Sequence, residues 1–200
     1  MAKRIQDGKL LYHVTAVKNL ESILRKGLLS RKDVEDKGLG NNLVDIADQD
    51  IIKKRKELGI FQFVPFHFFE PTAFTGIVFK SHPNESFCSI TILRDFAKQQ
   101  NFQICTAHPL SQNPVAEVMS YNEGFKAINW EKAEERNYND LISKNACMAE
   151  CLATSPVTPD DFFMIYVAND GTQDYVENLA TDILGNYKFD ICVNTTFSKA

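Results

Sequence analysis

The chain has 200 residues, 44% apolar and 24% charged, with a formal net charge of −4. That is an ordinary composition for a soluble globular protein with one sizeable core, and the acidic total excludes a globally basic nucleic-acid binder. The five cysteines, odd in number and scattered, fit neither a disulfide framework nor a paired zinc site, and no apolar run reaches the ~18 residues of a membrane span. The expectation is a single domain over residues 1–200, cytoplasmic, with reduced thiols, no metal and no signal peptide.

Leu10 to Thr15 reads as a short strand, with His13 and Thr15 on one face near its end. Asn19 precedes a helical stripe of Leu20, Ile23 and Leu24, and Gly27 stops it. Residues 31–50 are polar around Gly38–Asn42 and lack periodicity, so a long functional loop or lid is expected. Asp50 to Gly59 forms a short basic turn or helix containing Lys53, Lys54, Arg55 and Lys56. Phe61 to Phe69 is the most aromatic stretch, and Pro65 within it points to an edge strand or bulge.

Ile77–Lys80 and Ser86–Leu93 read as two further strands, followed by a helix end at Ala97–Asn101 and a strand at Phe102–Thr106. His108 lies in a turn-rich loop ending at Pro114. Val115–Trp130 holds a short helix, and a highly charged stretch runs from Glu131 to Asn145. Phe162–Ala168 is a buried strand. Behind a cap at Thr172 comes a helical stripe of Val176, Leu179, Ala180, Ile183 and Leu184, and Phe189–Val193 is the last strand. Six to eight short strands with about four helices make an α+β fold.

Glu150 stands alone inside the apolar run Ala146–Ala153. A carboxylate there is expensive to desolvate unless it is paired or faces a cleft; the bland alternative places it at an element's end, in water. For His13 the bland alternative is a neutral imidazole bonded to backbone, and for Lys53–Lys56 a solvated face. No glycine-rich dinucleotide fingerprint, Walker loop, HExxH or GxSxG is present.

Five blocks together resemble the DarT family of toxins. They are Tyr12-His-Val-Thr15 with Asn19 to Gly27, Ile52–Arg55 with Val64–Phe68, the loop at His108, Asn129-Trp130, and Lys144 to Glu150 followed by Pro156-Val-Thr-Pro159. The resemblance implies an ADP-ribosyltransferase-like core of two small sheets with flanking helices and an NAD cleft. It implies transfer of ADP-ribose from NAD, as co-substrate, to a nucleobase of single-stranded DNA. In those terms Glu150 is catalytic, holding the nicotinamide ribose and stabilising a cationic transition state. Arg55 acts in the nucleophile's proton-loss step or orients the base; orientation is the safer role, because a guanidinium hardly deprotonates.

His13 and Thr15 would bind NAD, with Phe66 or Phe68 offering a stacking face for nicotinamide. His108, Lys144 and Lys54 would meet the nucleic acid, which must arrive unpaired. A macrodomain antitoxin that removes ADP-ribose is the implied partner. The chain departs from the family pattern at His67, where a Tyr is usual, at Lys56, and at Glu70-Pro71-Thr72, which lacks an expected arginine. These changes fall on the substrate side. The alternatives are an RNA- or protein-directed transferase, or a non-catalytic NAD- or ADP-ribose-binding module.

Overall fold

The computed structural model of the protein describes residues 4–40, 43, 44, 46 and 49–197. From the N-terminus come β1 (Leu10–Ala16), α1 (Leu20–Lys26), α2 (Arg31–Asp36), α3 (Gln49–Glu57), β2 (Val64–His67) and α4 (Ala73–Ser81). They are followed by β3 (Phe87–Leu93), α5 (Arg94–Gln99), β4 (Gln103–Cys105), β5 (Val118–Ser120), α6 (Tyr121–Ala127) and α7 (Trp130–Glu135). The last are α8 (Leu141–Cys147), β6 (Glu150–Ala153), β7 (Met164–Val167), α9 (Asp170–Leu184) and β8 (Asp190–Val193). The α+β expectation is met.

The strands lie in the order β5-β4-β6-β2-β1-β3-β7-β8. Neighbours are antiparallel except β7 and β8, which are parallel and joined through α9, as a crossover requires. The sheet has a seam. β1 pairs with β3 over its whole length, Leu10 to Ala16, yet with β2 only at Tyr12–His67. In place of the two small sheets that the resemblance implies, there is one eight-stranded sheet whose two four-stranded halves meet at a single residue pair.

Pro65 falls at the seam. Its carbonyl faces β1, and in a strand the missing N–H would face the same way, where β2 has already parted from its neighbour. Proline therefore costs no ladder bond there, although β2 is interior to the sheet.

The main core packs one face of the sheet, through Leu11, Phe66, Ile90 and Ile165, against Leu20 and Leu24 of α1 and Val176 and Ala180 of α9. Arg94 is buried within it and donates to three carbonyls: Nε to Leu10 at 3.1 Å, Nη1 to Gln6 at 3.0 Å and Nη2 to Phe68 at 2.7 Å. One guanidinium thus ties the chain start, β1 and the end of β2 together. A smaller core of Val14, Ala16, Val78 and Phe87 covers the other face.

Gly124 lets α6 settle on β4: a Cβ added there would lie 2.5 Å from Cβ of Ile104. Gly124→Ala is therefore expected to lower stability by about 2 kcal/mol through overpacking. Urea unfolding checks this, and an unchanged midpoint would show that the contact relaxes freely.

Three expectations change. Ile77–Lys80 lies in α4, not in a strand; a short apolar run does not separate the two states, and the Thr72–Thr75 capping box starts a helix. The stretch from residue 31 opens with helix α2, capped by Ser30 Oγ accepting from Asp33 N at 3.1 Å. Asn41 and Asn42 of the Gly38–Asn42 loop lie outside the described residues. The cap of α9 is Asn169, which accepts from the Thr172 N–H at 2.9 Å.

Candidate active site

A cavity of about 290 Å³ lies along the seam, with His13 and Thr15 from β1, His67 from β2, Arg55 from α3, Glu150 from β6 and His108 among its lining residues. Glu150 opens β6, opposite His67 on one side and Cys105 on the other. Its Oε2 accepts from Arg55 Nη1 at 2.5 Å, and the two side chains are 8% and 11% exposed. This pairing answers the desolvation problem posed by an acid in an apolar strand. Arg55 Nη2 is buried as well and has no hydrogen-bond partner among the described residues, so it is a donor open to an acceptor on a bound ligand.

Two of the three cavity histidines have their protons placed by main-chain partners. His13 Nδ1 sits 2.8 Å from the Pro65 carbonyl, which only accepts, so Nδ1 carries the proton and Nε2 keeps its lone pair. His108 Nδ1 accepts from the Leu110 N–H at 3.1 Å, which places its proton on Nε2. Burial pushes the His13 imidazole down to about 4 against the opposing Pro65 bond, and burial also holds His67 and His108 below the ordinary histidine value. At neutral pH all three are uncharged. His13 thus offers the cavity an acceptor and His108 a donor, beside the donor of the Arg55 guanidinium.

The structure brings Glu150, Arg55, His13, Thr15 and His108 together at the cavity. Phe68 is a correction: it is 4% exposed and packs edge-on against Trp130 in the main core, with the Arg94 guanidinium 5.1 Å from its ring. Phe66 is likewise in the core. Strand alternation explains both, since Val64, Phe66 and Phe68 take the core face while Pro65 and His67 take the cavity face.

Lys54 does not line the cavity and pairs with Glu57 at 3.2 Å. Lys56 is occupied too, 3.6 Å from Glu35 and over the Phe61 ring, so the cationic run is partly neutralised. Lys144 is exposed on α8, one turn before the cavity residue Met148, and its charge is felt at His108.

Phe74 was not singled out from sequence; Phe63 and His67 stood only within the aromatic stretch, His67 also as a departure from the family pattern, and Asn19 only as the residue before the first helix. His67 and Phe74 place their rings 5.8 Å apart in the lining, and Phe63 joins them. For His67 and Phe63 the alternation about Pro65 was the available signal. Asn19 occupies a cap position at α1 but makes no cap bond: its side chain turns to Thr15 and to the Val44 main chain.

A family model described as "ssDNA thymidine ADP-ribosyltransferase, DarT" matches residues 12–196. No curated protein matches the sequence. Among solved structures, Thermus sp. 2.9 DarT in complex with ADP-ribosylated ssDNA aligns with a TM-score of 0.81 at 16% identity, over 100% of each chain. Thermus sp. 2.9 DarT in complex with NAD+ aligns with a TM-score of 0.74 at 15% identity, over 96% of this chain and 98% of that one. Thermosipho africanus DarTG in complex with ADP-ribose aligns with a TM-score of 0.73 at 23% identity, over 94% of this chain and 50% of that one. At such identities the structures establish a shared fold, and the family match over residues 12–196 carries the assignment: this chain belongs to the DarT family of ssDNA thymidine ADP-ribosyltransferases.

Proposed function

We propose that the chain takes NAD as ADP-ribose donor and transfers the group to the ring N–H of an unpaired thymine, with Glu150 and Arg55 as the catalytic pair. The buried pair, with its unpartnered guanidinium nitrogen at the cavity, carries the reading. Glu150 accepts from a hydroxyl of the ribose that loses nicotinamide and offsets the positive charge growing there. Arg55 fixes that carboxylate through Nη1. His13 Nε2 is an acceptor for a ribose hydroxyl, and the Thr15 hydroxyl supplies a neighbouring polar contact. The stacking face sought at Phe68 falls instead to His67 and Phe74.

Thymine presents its N3–H between two carbonyl oxygens. Arg55 Nη2 and His108 Nε2–H are two donors that match those carbonyls and aim N3 at the sugar. Cytosine carries an amino group in place of one carbonyl, so a donor would face donors and remain buried without a partner. The N3 proton must leave as the bond forms. With His13 on the ribose and His108 donating to the base, His67 is the cavity imidazole left to accept it, whereas a guanidinium is not suited to do so.

The substrate is single-stranded, because a stacked base cannot bring N3 into a cavity, and Lys144 at the rim is suited to its phosphates. A macrodomain antitoxin that strips ADP-ribose is the inferred partner, and residues 1–200 act as one domain. Among the described residues no helix is long and apolar enough to cross a membrane. Four of the five free cysteines are buried, which suits the inferred reducing cytoplasm.

The test is mass spectrometry of the wild-type protein incubated with NAD and oligonucleotides of equal length. These are thymine-containing DNA, the same DNA with every thymine replaced by cytosine, and RNA, with a protein mixture as a further acceptor. One ADP-ribosyl group on the thymine-containing DNA alone is expected. Labelling of RNA or protein in its place would reassign the acceptor, and unconsumed NAD in every mixture would leave a binding module.

A further inference from the structure

Asn19 is 6% exposed and uses its whole amide. Nδ2 donates to Thr15 Oγ1 at 3.1 Å and to the Val44 carbonyl at 3.0 Å, while Oδ1 accepts from the Val44 N–H at 2.8 Å. The two bonds to Val44 have the pattern of a β-bridge, with a side-chain amide replacing one strand. Only a side chain with both a donor and an acceptor in one plane can make them. Val44 lines the cavity together with Leu43 and Ile46, so this clasp sets where that wall stands.

The third bond acts on Thr15. Its hydroxyl oxygen accepts from Asn19, so its proton is left to donate elsewhere, and Thr15 itself lines the cavity. Asn19 has helical backbone angles and carries the 3-10 turn Val17–Asn19 into α1, so its amide is not committed to a helix cap.

We propose that Asn19 is a positioning residue for NAD binding, clasping the Val44 main chain as a wall of the cavity and turning the Thr15 hydroxyl into a donor toward the ligand. The inference rests on NAD occupying this cavity, as proposed above. It separates binding from chemistry, because Asn19 touches neither Glu150 nor Arg55 through any of its three bonds.

The experiment is steady-state transfer to thymine-containing single-stranded DNA with NAD varied, for wild type, Asn19→Ala, Thr15→Val and the double variant, alongside amide hydrogen exchange of Val44. Asn19→Ala is expected to raise the KM for NAD about 10-fold with kcat within about 3-fold, as loss of positioning bonds away from the reacting atoms should do. Thr15→Val should raise KM less, and the double variant should show less than the product of the two effects, because the residues share a bond. The Val44 amide should exchange faster in Asn19→Ala and unchanged in Thr15→Val.

An unaltered KM in Asn19→Ala, or a fall confined to kcat, overturns the proposal. If Asn19→Ala folds too poorly to assay, Asn19→Asp keeps the acceptor for the Val44 N–H and loses both donors; a normal KM in that variant is equally fatal. Failure of the underlying reading looks different, since wild type itself would then leave NAD unconsumed.

Discussion

Glu150→Gln is expected to reduce ADP-ribose transfer by about 10³-fold while leaving the protein folded. Glutamine keeps the volume of the side chain and one oxygen able to accept from Arg55 Nη1, now 2.5 Å away. What it removes is the negative charge set against the cationic sugar. The measurement is single-turnover transfer at saturating NAD, paired with a melting curve. Transfer within tenfold of wild type would remove the carboxylate from the chemistry.

Alanine is the wrong substitution for this purpose. From sequence, a cleft carboxylate can be deleted without harm to the fold. With Arg55 9% exposed and its Nη2 without a partner among the described residues, Glu150→Ala would strand a buried guanidinium, at a cost of about 3–5 kcal/mol. An inactive alanine variant would then report instability as readily as catalysis.

The contrast shows what a linear reading can reach. Glu150 was legible because a single acid in an apolar run demands a partner, and β3, β7 and β8 were legible as apolar runs bounded by turns. The identity of that partner was not, since Arg55 lies 95 residues away and reaches Glu150 only because α3 closes over the seam. Phe68 illustrates the opposite failure. Chemistry favoured the aromatic ring, but face is set by parity along the strand, and the parity of Phe68 is that of the core. Lys54 stands in the sequence as an available charge, but Glu57 of α3 meets it, as Glu35 of α2 meets Lys56. Arg94 gave no signal in the sequence because its three acceptors are main-chain carbonyls, which every residue possesses.

A loss of stability at alkaline pH is expected from Glu70, between β2 and α4. Its Oε2 accepts from the Thr75 hydroxyl and from the Thr72 N–H at 3.3 Å, and its Oε1 reaches no solvent and has no partner among the described residues. Burial pushes this carboxyl up from 4.5 to about 7, with the two hydrogen bonds opposing and losing. The folded protein thus holds the proton more tightly than the unfolded chain. Its contribution to stability is fully present below the unfolded value of 4.5 and is lost as pH rises through about 7. The difference, 7 − 4.5 = 2.5 units, corresponds to about 3 kcal/mol at alkaline pH.

Glu70→Gln, which is always neutral and keeps an acceptor for Thr72 and Thr75, should match wild type in urea unfolding at acid pH. It should exceed wild type by up to about 3 kcal/mol well above pH 7. A stability difference that stays flat across that range would mean the carboxyl is solvated in the folded protein. The consequence extends to the site. Thr72 and Thr75 form the capping box of α4, and α4 carries Phe74 onto His67, directly opposite Glu150 in the sheet. Ionisation of Glu70 buries a charge with one oxygen unpartnered among the described residues, beside the start of the helix that supports one side of the cavity, so alkaline loss of stability should begin at α4, with faster amide exchange there than in β3.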